Sequence, residues 1–148
     1  MSSNVKTGFV GGLFGTVIMT AFREPVARSL PPTAAFLSKF VGGEPDDHTV
    51  GALLLHLLYG GAAGSVFAPV LAVGSAESPS SLEPETEGLL AGLVYGLALS
   101  VFGERFLLER LLEMNLERDE RAVFHAGHVM YGLSLGAWVG SRSKGASE

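Results

Sequence analysis

The stretch His56-Leu57-Leu58-Tyr59-Gly60-Gly61-Ala62-Ala63-Gly64 returns later in the chain as His128-Val129-Met130-Tyr131-Gly132-Leu133-Ser134-Leu135-Gly136. The histidine, the tyrosine and both flanking glycines keep their spacing, and an aspartate, Asp47 or Asp119, stands nine residues before each histidine. Upstream, Gly8, Gly12, Leu13, Thr20, Phe22 and Glu24 align one for one with Gly88, Gly92, Leu93, Ser100, Phe102 and Glu104. This pattern predicts an all-α chain made of two tandem helical hairpins, an internal duplication with repeat 1 at about 5–74 and repeat 2 at about 85–141. The two lie in a single domain over residues 1–148.

Composition sets the solvent. A hydrophobic share of 47%, a charged share of 17% and a mean hydropathy of +0.36 fit an integral membrane protein better than a soluble one. Four apolar segments, at about 8–22, 49–73, 88–102 and 122–140, predict a polytopic membrane four-helix bundle. A soluble bundle would need a polar face on each helix, and these segments are apolar all round. Phe36, Leu37, Phe40 and Val41 beside Lys39 predict a short interfacial helix in the first connection, after the break at Leu30-Pro31-Pro32-Thr33. The second connection, from Gly74 to Glu87, is rich in Ser, Pro and Glu and is expected to be an exposed loop.

Glycines recur four apart within the apolar segments: Gly8/Gly12, Gly11/Gly15, Gly60/Gly64, Gly88/Gly92/Gly96 and Gly132/Gly136/Gly140. Such spacing puts small residues on one helix face, where backbones approach closely in lipid. The same faces would serve self-association, so a homo-oligomer or a larger membrane complex is an expected partner alongside the bilayer. No basic stripe points to nucleic acid. Seven of the ten basic residues fall in the first and third connections (Arg23, Arg28, Lys39; Arg105, Arg110, Arg118, Arg121), which predicts those connections cytoplasmic and both termini outside a multi-pass cell-membrane protein. The net charge of −5 with three lysines suits a halophilic, archaeal source.

The absence of cysteine excludes disulfides and thiol chemistry. No phosphate-cradling loop, nucleophile elbow or catalytic carboxylate pair stands out, so a non-enzymatic protein is expected. Interest centres on His56 and His128, placed at equal depth within apolar runs. One reading has each imidazole hydrogen-bonding across the bundle to Thr16, Thr20 or Ser100 and fixing helix register. A second makes them axial ligands of a b-type haem. A third is a proton or ion path through His56, His125 and His128, with Tyr59, Tyr95 and Tyr131 as relays. His125 and His128 share a helix face, but no third ligand there suits a metal. A structural or accessory membrane subunit without a cofactor is the expectation, with haem-based electron carriage and transport as alternatives.

Four short spans, the Pro31-Pro32 element after the first helix, and Gly127-His128-Val129 opening into a glycine-rich last helix resemble the small, uncharacterised YagU-type inner-membrane proteins. The resemblance implies a four-helix membrane protein and no site residues.

Overall fold

The computed structural model describes residues 2–26 and 31–143. Leu30 and Arg28, which entered the sequence reading, lie outside them. Five helices occur: α1 (Ser2–Arg23), α2 (Pro32–Val41), α3 (Thr49–Glu77), α4 (Pro84–Phe102) and α5 (Arg118–Ser143). A 3₁₀ turn, Pro45–His48, leads into α3, and a π-helical segment, Gly103–Leu111, prolongs α4. The described residues contain no strand.

Three helical stretches are long and apolar enough to cross a membrane: Ser3–Arg23, Pro45–Glu77 and Pro84–Leu111. Their outer faces carry exposed large apolar side chains, such as Phe9, Val10, Phe14 and Val17 on α1, Leu54, Leu58 and Val66 on α3, and Leu90, Val94 and Val101 on α4. Water does not tolerate a continuous belt of this kind, whereas lipid does. The fourth apolar segment differs from expectation. Helix α5 is 26 residues long yet is not among the candidate spans, because His125, His128 and several glycines and serines lower the hydropathy of its charge-free middle. The reason is its position. It packs against both α1 and α4, and among the described residues no large apolar side chain of α5 is exposed.

Glycine determines how closely these helices pack. A Cβ at Gly12 would fall on the carbonyl oxygen of Gly60, and one at Gly8 on that of Gly64. In α4 and α5 the matching positions meet likewise: Gly92 with Gly132 and Gly88 with Gly136, while Gly96 meets the His128 carbonyl and Gly140 that of Pro84. Each hairpin is therefore zipped backbone to backbone, which exploits the dispersion contacts that lipid-exposed helices rely on. The hairpins join chiefly where α1 lies on α5, with Gly11 and Gly15 against Trp138, Leu135 and Tyr131. Helices α3 and α4 touch at fewer places. Tyr95 Oη donates to Ala63 O (2.8 Å), the Tyr95 and Phe67 rings pack at 5.1 Å, and Ser75 Oγ donates to Glu87 (2.5 Å).

Two connections depart from the sequence reading. The expected long loop over 74–87 shortens to residues 78–83, because α3 runs on to Glu77 and α4 begins at Pro84. The Ser75–Glu87 bond joins the two extended ends. Beyond Phe102 the helix widens, and the Leu112 N–H donates to Leu107 O (2.9 Å), five residues back. Glu113, at φ 56°, ends the segment in the left-handed region, a strained place for a side-chain-bearing residue. Lys39 of α2 closes that end, donating to Leu111 O (2.6 Å) and pairing with Glu113 (3.2 Å). The first and third connections thus meet at one end of the bundle.

Candidate binding cavity

A cavity of about 190 Å³ lies at that end. Most of its wall comes from four elements: Pro31–Thr33 and Phe36 at the start of α2, Leu55, His56 and Tyr59 of α3, Gly103, Leu107, Leu108 and Leu112 of the π-helical segment, and Phe124 and His128 of α5, with Arg23 at the end of α1 completing it. Arg23 is its one charged lining residue among those described.

His56 and His128 both line this cavity. Their partners are not the predicted ones. Thr16 Oγ1 donates to Gly12 O (2.7 Å) and Thr20 Oγ1 to Thr16 O (2.8 Å), so both hydroxyls serve carbonyls of their own helix. Ser100 Oγ donates to Leu97 O (2.8 Å) and lies 2.9 Å from His125 Nδ1, not from His128. His128, 8% exposed, donates its Nδ1–H to Phe124 O (2.9 Å), since a carbonyl can only accept. Its ring also packs on Phe124 with centroids 4.5 Å apart. Among the described residues, His128 Nε2 and both nitrogens of His56 find no hydrogen-bond partner. The Thr33 hydroxyl oxygen on the same wall is buried and unpaired too.

The three tyrosines divide. Tyr131 Oη donates to Gly60 O (2.7 Å) and Tyr95 Oη to Ala63 O, so both brace α3 from the second hairpin. Their single protons go to backbone carbonyls, which leaves no chain of hydroxyls leading to the histidines. Tyr59 lines the cavity.

A network missed by sequence reasoning flanks the cavity. His125 Nε2 lies 2.9 Å from Glu104, which Arg121 also engages as an ion pair, while Nδ1 faces Ser100. The signal was present: Ser100/Glu104 and Arg121/His125 are each four residues apart, and so place two polar groups on one face of each helix. Serine, histidine and glutamate are the residue types of a hydrolase, but Ser100 is wholly buried and its proton is held by Leu97 O. It is a structural tie between α4 and α5. The described residues hold no cluster of three potential metal ligands.

Haem does not fit. The two imidazoles face one cavity, as axial ligation would need, but 190 Å³ lies below the roughly 300–1,000 Å³ of sites that enclose even a drug-sized molecule. The glycine contacts on either side leave the helices no slack to make room for a macrocycle.

No family model, curated protein or solved structure matches the chain.

Proposed function

We propose that this chain is a non-enzymatic, multi-pass membrane protein that acts as an accessory subunit and holds a small membrane-soluble molecule in the histidine-lined cavity. The observation that carries this reading is the convergence of two imidazoles, one from each hairpin, on an apolar space where the buried Thr33 hydroxyl, His128 Nε2 and the His56 ring nitrogens have no hydrogen-bond partner among the described residues. Buried polar groups are normally satisfied, so such a set favours an occupant. No carboxylate, serine or cysteine lines the described wall, which argues for binding over turnover.

In this reading α5 is a fourth span, shielded from lipid by its neighbours, and the chain is a duplicated hairpin. The paired glycine contacts of α1 with α3 and of α4 with α5 support the duplication. The α1–α5 and α3–α4 interfaces, which a strict two-fold axis would make equal, differ in extent. The basic first and third connections, clasped together by Lys39, would face the cytoplasm, with the termini outside. The glycine stripes are used up inside the bundle, so a larger complex would assemble through other surfaces. The YagU-type layout is compatible with this architecture.

Two measurements test the proposal. Because the chain has no cysteine, Glu117→Cys and Ser81→Cys can be introduced singly and labelled with an impermeant maleimide. Ser81→Cys should react in intact cells and Glu117→Cys only after permeabilisation; labelling of both from one side refutes the topology. Mass spectrometry of organic extracts should find a small molecule with the purified protein and lose it in Leu55→Trp, which fills the cavity. Its persistence in that variant, or its absence from the wild type, refutes the binding role.

A further inference from the structure

We infer that the cavity takes the head of a lipid-soluble quinol, its ring hydroxyl donating to His128 Nε2. This rests on the binding role proposed above and names the chemistry of the ligand.

The argument starts from hydrogen-bond polarity. With Nδ1–H held by Phe124 O, the neutral His128 ring presents Nε2 to the cavity as an acceptor. An anionic lipid head would set negative charge against that lone pair, and the cavity's cation, Arg23, already faces Glu120 and Glu24, whereas a hydroxyl donates to Nε2. Thr33 and His56, also unpaired, can each donate or accept, so they suit a head that carries oxygen at more than one position. The donors and acceptors stand on different elements, α2, α3 and α5, around the space and not along one side of it. A flat ring bearing oxygens at opposite edges satisfies that layout, and a fatty alcohol with one hydroxyl does not. Phe124, tilted against the His128 ring at 4.5 Å, and Phe36 provide aromatic walls for such a ring. Size agrees. A cavity of 190 Å³ admits a head group but not a whole lipid, so the tail must lie outside it, on the exposed apolar surface of the helices. Oxidation to the quinone removes the hydroxyl proton, so the oxidised ring leaves the His128 acceptor unmatched. The site therefore prefers the reduced ligand; no electron transfer by the protein is involved.

The test is equilibrium binding of decylubiquinol, decylubiquinone, oleate and phosphatidylglycerol to the full chain in nanodiscs of neutral lipid. Saturable quinol binding is expected, with the quinone weaker by about tenfold, the equivalent of one hydrogen bond at ~1.4 kcal/mol. His128→Phe should abolish the difference between the two redox forms. Thr33→Val, a near-isosteric change at a position that makes no hydrogen bond, should weaken quinol binding severalfold with an unchanged melting temperature, which guards against a folding artefact. Equal affinity for quinol and quinone overturns the inference. Competitive binding of oleate or phosphatidylglycerol at the quinol's affinity overturns the ligand class and leaves the binding role standing. If none of the four binds, the inference fails; the extract of the Leu55→Trp variant then decides separately whether the cavity holds anything.

Discussion

The glycine seam between α4 and α5 makes the sharpest quantitative prediction. In Gly132→Ala, the new Cβ would fall on the Gly92 carbonyl oxygen and lie 2.9 Å from its carbon and 3.0 Å from the Gly96 Cα. Ordinary contact begins near 3.4 Å, so α5 must retreat from α4 by at least about 0.5 Å. A gap of that size forfeits a quarter or more of the dispersion well at each contact along the seam. Overpacking of a close interface costs roughly 1–3 kcal/mol, and a backbone carbonyl, which cannot swing aside, places this case at the upper end. Replacing glycine within a helix returns up to about 1 kcal/mol, so the net loss should be ~1–2 kcal/mol. Gly74→Ala is the control. It too lies within a helix, but its Cβ would meet nothing within 4 Å, so only the gain of up to ~1 kcal/mol remains. The two variants should therefore differ by ~2–3 kcal/mol, or roughly 5–10 °C in melting temperature for a chain of this size. Thermal unfolding of both in the same detergent, followed by circular dichroism, measures it. Equal melting temperatures would refute the claim that backbone contact at this seam holds the hairpin together.

Other variants probe other joints. Gly12→Ala, which meets the Gly60 carbonyl as Gly132→Ala meets that of Gly92, should match the latter's melting loss within about 1 kcal/mol if the hairpins are equivalent. Ser100→Ala should cost about 1–3 kcal/mol by leaving His125 Nδ1 unpaired beside a fully buried position, and a melting curve indistinguishable from wild type would remove the proposed tie between α4 and α5. Tyr131→Phe and Tyr95→Phe each remove one interhelical hydrogen bond to α3, with an expected loss of about 0.6 kcal/mol apiece and near-additivity in the double variant. A strongly cooperative double loss in chemical unfolding would mean that the two hydroxyls act through one shared element.

Much of the architecture was legible in the residues. Glycines four apart within apolar runs place small surfaces on single helix faces, and each of those stripes meets a partner helix. The Phe36–Val41 pattern beside Lys39 announced α2, although it begins earlier, at Pro32. Counting residues from Asp47 and Asp119 puts His56 and His128 at matching places in the two repeats, and both line one cavity. Their partners were not legible. Nothing along the chain says that Thr16 and Thr20 turn back to their own carbonyls, or that Ser100 meets His125 in preference to His128 one turn away.

What the sequence determined by itself is local and periodic: where helices run, which faces are smooth enough for backbone contact, and which segments are too apolar for water. These follow from the 3.6-residue repeat and from side-chain chemistry, both of which act over a few turns. What only the tertiary structure decided is which helix lies inside. A middle diluted by histidine, glycine and serine sets α5 apart from the more apolar helices, yet it lies inside because both α1 and α4 pack on it. The cavity belongs to the same class of fact. It arises where four element ends fail to close on one another, at a widened turn after Phe102, and such a gap depends on the relative placement of distant segments, which no short-range pattern records.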